Sequence, residues 1–430
     1  MSIIFPSAQM ATVINAAVSN FTGTTISYET LPDGTTSTVP TYTTSTVTVE
    51  ENLSNVVQVG QTVSNQLTSE NFINSATKML ETVGKIYFET LAAEDIQTDD
   101  FNLRVETEEY NLLREKVRID HRQFEASFVL DETSSSTFND LFGKHPFTFK
   151  VKVWGNRGFY RTKPFTISYE LFKTSVQSLN GWNELVSRMW AVIDAIVSIA
   201  LAESPWFCIR QQMANAELYR QSNGHGVRVI ELSKRYTADT GSAFTSTSDP
   251  AFAKWFVKFQ RHLRKVMRIP TTNYCGANVP PINTPERYER KFLIDTFYDD
   301  INNGLSGIYH DDKIGNIDDY DLIPFIQNVN DPRTLNIVPA NPPVLTVGSH
   351  VTNVTAENVV GMIWDKRGTF YTLDYRKVAN QPNTFDDHVN YISTVGASHN
   401  VDEDSNVVVF TIDTTSGGNG FTVTEESDGE

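Results

Sequence analysis

Apolar positions fall into two periodicities along this chain. In Ser69–Thr90, Phe72, Ile73, Ala76, Met79, Leu80, Val83 and Ile86 recur at three- and four-residue steps. That spacing predicts an amphipathic helix. A wider stripe runs through Asn180–Tyr219, formed by Trp182, Leu185, Val186, Met189, Trp190, Ile193, Ile196, Val197, Ala200 and Leu201. Asn180 stands where a cap is expected. Ser204-Pro205 marks a kink or the start of a second helical piece, because proline fits a first helical turn. Phe207, Ile209 and Met213 carry the pattern to Leu218, and Ser222-Asn223-Gly224 stops it. A third helix opens at Asp249-Pro250 and ends before Pro270. Phe252, Trp255, Phe256, Phe259, Leu263 and Met267 form one stripe on it, and Lys254, Lys258, Arg261, Lys265 and Arg268 form another.

Period-two alternation marks the strands. Val117, Ile119, Phe124, Phe128 and Leu130 sit among charges, while Phe147, Phe149, Val151 and Val153 alternate with Thr148, Lys150 and Lys152. The turn-rich DETSSSTFNDLFGKHP separates the two runs, so a long hairpin is expected within Asp99–Pro164. Arg104, Arg114, Lys116, Arg118 and Arg122 mix there with Glu106, Glu108, Glu109, Glu115 and Asp120. An isolated ribbon is marginal in water, so this one is expected to pack on a partner. GMIWD, KRG and TFYTLDY read as a hairpin around Lys366-Arg367-Gly368. HVNYISTV and VVVFTID are further strands, followed by GGNG and an acidic end.

The start of the chain is different. No Lys or Arg precedes Lys78, and 12 threonines lie between Phe21 and Glu50. Threonine favours extended backbone, because its branched Cβ stiffens χ1. The segment reads as an extended arm lying on another subunit, or as a disordered leader.

Composition narrows the classes. The 430 residues are 40% hydrophobic, 11% aromatic and 20% charged, which is globular. Lys plus Arg total 35 against 52 acids, a net charge of −17, opposite to what coats nucleic acid. Cys208 and Cys275 are too few for a disulfide framework, and a reduced cytosolic setting is the simplest expectation. Met1–Phe21 lacks the basic region of a signal peptide. Trp182–Ala202 carries Glu184, Arg188 and Asp194, which argues against a membrane span.

Catalytic signatures are sparse. HExxH, GxSxG, GxxxxGK[ST] and GxGxxG are absent, and the 8 histidines are scattered. Ser75-Ala76-Thr77-Lys78 matches SxxK without its SDN and KTG companions, so a helix surface is the better reading. His310-Asp311-Asp312 with Asp318, Asp319 and Asp321 lacks calcium-loop spacing and reads as a solvated loop. Sequons at Asn20, Asn52 and Asn353 carry no weight without a secretion signal. The basic stripe over Lys254–Arg268 suits phosphates or an acidic neighbour, and the net charge favours contact between subunits. No catalytic, cofactor or metal residue is assigned.

Four stretches bear a resemblance: Arg157-Gly158-Phe159-Tyr160; LFKTSVQSLNGWNELVSRMWAVIDAIVSIALAE; FAKWFVKFQRHLRKVMRIP; and VVGMIWDKRGTFYTLDYRKV with HVNYIS. In that order, over roughly residues 155–395, the chain resembles the major capsid proteins of tailed double-stranded-DNA bacteriophages, most of all those of phi-29-like podophages. The resemblance implies an α+β, HK-97-like capsid fold. Its parts would be a Thr-rich extended N-arm (1–68), a lead-in helix (69–98), an E-loop ribbon (99–164), a P-domain with spine helix 180–220 (165–270), an A-domain (271–350), P-domain strands (351–398) and an acidic C-terminal tail (399–430). The last stretch is shorter than the C-terminal immunoglobulin-like domain of phi-29-like proteins, and the Thr-rich arm is longer than theirs. The implied function is a head protein forming pentamers and hexamers of an icosahedral shell around packaged DNA. It would be assembled in the host bacterial cytoplasm with a scaffolding protein, a portal and other head proteins, with no membrane. The expected inter-subunit residues are Arg104, Arg114, Lys116, Arg118, Arg122, Lys150, Lys152, Arg157, Lys254, Lys258, Arg261 and Lys265. An encapsulin-type compartment, a tail or surface-binding protein and, more remotely, a glycoside hydrolase with paired carboxylates are the competing readings.

Overall fold

The computed structural model describes residues 6–30, 36–93, 101–105, 114–119, 149–154, 158–162, 164–219, 227–276, 279, 281–306, 320–340, 348–383, 388–415 and 418–427. The chain opens with α1 (Ser7–Val18), the hairpin of β1 (Thr22–Thr30) and β2 (Thr36–Thr46), α2 (Val56–Gln66) and α3 (Ser69–Ala93). β3 (Arg114–Ile119) and β4 (Phe149–Trp154) form a ribbon. β5 (Gly158–Arg161), β6 (Phe165–Ser168) and α4 (Tyr169–Ser175) lead to the long α5 (Leu179–Leu218). Next come β7 (Val229–Glu231), α6 (Leu232–Thr240), α7 (Pro250–Arg268), β8 (Glu289–Ile294), α8 (Asp295–Ser306), β9 (Asp321–Ile323) and β10 (Leu335–Ile337). The chain closes with β11 (Ser349–Ala356), β12 (Val359–Asp365), β13 (Thr369–Asn383), β14 (His388–Val401), β15 (Val407–Thr411) and β16 (Phe421–Ser427).

The beginning differs from the extended arm expected over 1–68. Met10, Val13, Ile14, Ala17 and Val18 recur at helical spacing and bury almost completely where α1 packs on α3. Asn15 fastens the return of the hairpin: its Nδ2 donates to the Val49 carbonyl and its Oδ1 accepts from the Val49 N–H. The threonines do form extended backbone, but as two strands paired to each other.

α5 is one helix, not two pieces. Its cap is Ser178, whose Oγ accepts from the Gly181 N–H at 3.1 Å, in place of Asn180. Pro205 lies inside it. Proline removes one helical hydrogen bond, yet Leu201, Cys208 and Ile209 on either side are held in the same core. By length and composition α5 would suit a membrane. Here its apolar stripe is buried against α3, β13 and β14.

A five-stranded sheet of order β7-β15-β12-β8-β9 joins two cores. Val407, Val409, Met362, Trp364, Phe292 and Ile294 face the first core with α5. Val408, Phe410, Val360, Ile363, Leu293 and Ile230 face the second, where Phe252, Phe256, Leu263 and Met267 of α7 and Phe297 and Ile301 of α8 close it. Strands buried on both faces read as continuous apolar runs, which explains VVGMIWD and VVVFT. This arrangement differs from a lobe confined to 271–350. α7, expected with residues 165–270, belongs to the second core. β10, β11 and β16 form a separate sheet, with β11 between the other two. The expected acidic tail is also structured, because β15 is central and β16 pairs along β11.

Lys366-Arg367-Gly368 is a crossover, not a hairpin turn. β12 pairs with β15 and β8, whereas β13 pairs with β14 in another sheet. Buried Asp365 redirects the chain: it accepts from the Arg367 N–H at 2.9 Å, the Arg367 guanidinium at 2.6 Å and Thr284 Oγ1 at 3.0 Å. A Cβ at Gly368 would collide with the Ser405 side chain. The turn before β15 is also held by Arg228. Its buried guanidinium donates to the carbonyls of Asn215, Tyr219 and Ser405, closing the end of α5. Burial lowers Arg228 to about 10, so it stays charged at neutral pH.

A second polar contact joins three elements. Ser204 of α5 lies 3.0 Å from His399 Nε2 of β14 and 3.2 Å from the Tyr160 hydroxyl of β5. Burial pushes His399 down to about 4.

Two predictions follow from this packing. A Cβ at Gly361 would stand 2.5 Å from Leu293 Cδ2 and 2.7 Å from the Phe292 carbonyl oxygen. Gly361→Ala should therefore destabilise by about 1–3 kcal/mol in denaturant titration; an unchanged midpoint would refute the tight wall. For His399, the unfolded chain takes up its proton near 6.5 and the folded chain only near 4. Its neutral form thus gives full stability above pH 6.5, and that stability drains away as pH falls through this window, by about 3 kcal/mol in all. His399→Gln should flatten the fall of Tm between pH 6.5 and 4, and an equal slope in both proteins would contradict the assignment.

Candidate assembly surfaces

The ribbon has a defined register. Arg114 stands opposite Trp154, Lys116 opposite Lys152, Arg118 opposite Lys150 and Val117 opposite Val151. Successive strand positions alternate between faces. Arg114, Lys116, Arg118, Lys150 and Lys152 therefore share one face, and Val117, Ile119, Phe149, Val151 and Val153 share the other with Glu115. The mixture of signs expected around the ribbon is, at these positions, segregated by face. Like charges directly opposite one another are destabilising, and among the described residues the ribbon is a sheet of two strands only.

Both roots of the ribbon are fixed to one sheet. On the entering side, Phe101 and Leu103 are buried, Tyr371 donates to the Leu103 carbonyl, and Val105 donates to the Tyr371 carbonyl. Half-buried Arg104 makes the parallel bridge to Tyr371 of β13. On the leaving side, β5 pairs with β14 from Arg161↔Thr394 to Gly158↔Ala397. Phe159 is exposed on this strand under the Arg161 guanidinium, 4.2 Å from its ring centre. Arg122 and Arg157 lie outside the described residues.

The second surface is α7. Asp249 caps it through the Ala251 N–H at 3.0 Å, and Pro250 fills the first turn. Its apolar stripe enters the second core, leaving Lys254, Lys258, Arg261 and Lys265 exposed on the other side. No ion pair among the described residues engages these four. The neighbouring cations are used internally: Arg264 pairs with buried Glu289, and Arg268 with Glu286 at 2.9 Å. The structure thus keeps the two expected cationic groups apart, one on the ribbon and one on the second core.

Among the described residues, the remaining candidates assemble no reactive arrangement. Lys78 Nζ donates to Ser19 Oγ and Asn20 Oδ1, and Ser75 is buried in α3. Cys208 and Cys275 are buried and form no disulfide. Among the described residues no group of His, Cys, Asp or Glu has metal-holding geometry. Of the acidic run after His310, only Asp321 is described, and it is exposed. Sequence reasoning missed Arg228, because a lone arginine after a Gly-rich loop gives no sign of burial. It missed the one-signed ribbon face because that depends on register between distant strands.

No match was found among curated proteins. Among solved structures, the capsid of Staphylococcus phage Andhra aligns at 11% identity over 74% of this chain and 85% of its own, with a TM-score of 0.40. That of cyanophage P-SCSP1u aligns at 10% identity over 74% of this chain and 88% of its own, with a TM-score of 0.36. The profile of one family, the Phi29-like phage major capsid proteins, matches residues 35–411. That match runs from β2 to β15 through the ribbon, α5 and α7, and by it the chain belongs to the Phi29-like phage major capsid protein family.

Proposed function

We propose that copies of this shell-forming subunit join into pentamers and hexamers of an icosahedral head around packaged double-stranded DNA, with the ribbon lying across an adjacent copy. The observation that carries this reading is the register of β3 and β4. Lys116 opposite Lys152 and Arg118 opposite Lys150 oppose each other within one copy. An acid-rich neighbouring surface relieves that repulsion, and the net charge of −17 makes such surfaces abundant. The exposed cations of α7 supply a second contact between copies, where the second core approaches the capsomer centre. The cores, α5 and the sheet of β13, β14 and β5 act as the rigid body.

The same charge balance suits the contents. An acidic wall repels DNA phosphates, so a motor-driven genome slides rather than sticks. The protein's work is assembly and not catalysis. Scaffolding protein and portal direct that assembly in the host bacterial cytoplasm, and the product is the virion capsid.

The test is a charge reversal. Arg114→Glu, Lys116→Glu, Arg118→Glu and Arg122→Glu together should abolish shells in negative-stain electron microscopy of the co-expressed head proteins. Far-UV circular dichroism should show the subunit still folded. Normal shells from this variant would remove the ribbon from the interface.

A further inference from the structure

We infer that the outer edge of β16 in one copy receives the cationic ribbon of a second copy, extending the small sheet across the subunit boundary. This rests on the proposed reading of the ribbon as an inter-subunit element, and it names the surface that the ribbon meets.

β16 is the outer strand of a three-stranded sheet of order β10-β11-β16. Its inner edge pairs with β11 from Ser349↔Ser427 to Ala356↔Phe421. One face of this sheet is closed, because Phe421 and Val423 pack with Val351 and Val354 against Ala214 and Leu218 near the end of α5. Among the described residues no strand pairs with the outer edge. An open edge presents a row of main-chain donors and acceptors, which proteins normally cover or block. Here Thr422, Thr424, Glu425 and Glu426 are exposed. Threonine and valine favour strand pairing, so the first part of β16 invites a partner.

Charge selects which partner. Glu425 and Glu426 lie near the end of the strand, before Ser427, and the sequence continues with Asp428 and Glu430. In a parallel pairing two such edges would set like charges against each other, and the acidic end equally repels DNA. It favours a cationic strand. β3 and β4 fit in form as well as in sign. Each has 6 residues against the 7 of β16, they form a sheet of their own, and their one-signed face lacks anions. Strand addition supplies main-chain hydrogen bonds, and the complementary charges set specificity. The ribbon leaves its own copy from the sheet of β13 and β14, whereas β16 belongs to a different sheet.

The experiment is a charge swap read as shell yield in sucrose gradients. Glu425→Lys with Glu426→Lys should lower shell yield about tenfold or more, with the far-UV spectrum of the soluble subunit unchanged. Combining it with Arg114→Glu, Lys116→Glu and Arg118→Glu should restore shells that neither set forms alone. A second measurement is independent of charge reversal. Lys116→Cys with Thr424→Cys should give disulfide-linked ladders in assembled shells, since the native Cys208 and Cys275 are buried. If ribbon reversal blocks shells but Glu425→Lys with Glu426→Lys does not, this inference falls and the proposed function stands. If both block but neither rescue nor cross-link appears, the pairing is also wrong. If ribbon reversal leaves shells intact, the reading of the ribbon fails and this inference fails with it.

Discussion

The molecule depends on two sheet strands with no solvent side. β12 and β15 are buried along their whole length, with α5 and its partners on one face and α6, α7 and α8 on the other. A strand in that position has no room for a polar surface, so its sequence is apolar throughout, and a residue without a side chain is required where β8 comes closest. The edges of the wall show the same economy. Asp365 and Glu289, at strand ends, are buried only because arginines meet them. A buried carboxylate without such a partner costs several kcal/mol.

This wall also explains how an acidic subunit presents basic surfaces. Arg264, Arg268 and Arg367 are held by ion pairs at the margins of the second core. Arg228 is enclosed by main-chain carbonyls. Further cations lie exposed on the outer face of α7, and the register of the ribbon places five more on one of its faces. Concentrated charge of one sign on a chain of net opposite sign favours contact between copies, because each copy then offers both halves of the attraction.

The ribbon is flanked by two anchored segments. Its two roots are hydrogen-bonded to β13 and to β14, neighbouring strands of a single sheet. The Ser204 contact, through Tyr160 and His399, ties that sheet to the middle of α5. The strand at the ribbon root and the longest described helix are thus joined through Tyr160 and Ser204.

Local periodicity was enough to read α3, α5, α7 and the paired strands of the ribbon, because amphipathic stripes and strict alternation are properties of neighbouring residues. The order of these parts, with a few matching stretches, was enough to point to the capsid family. Sequence also located both cationic groups, since Lys254, Lys258, Arg261 and Lys265 repeat on one helical face. What it did not reveal depends on distant pairings. The apolar stripe of α1 is short and was overshadowed by the threonines behind it, and only packing on α3 distinguishes it from a free arm. GMIWD and TFYTLDY look like a hairpin locally, and only the competing partners of β12 and β13 separate them. The single sign of the ribbon face and the open edge of β16 follow from register and strand order. Those are set by tertiary contacts, and no window of neighbouring residues contains them.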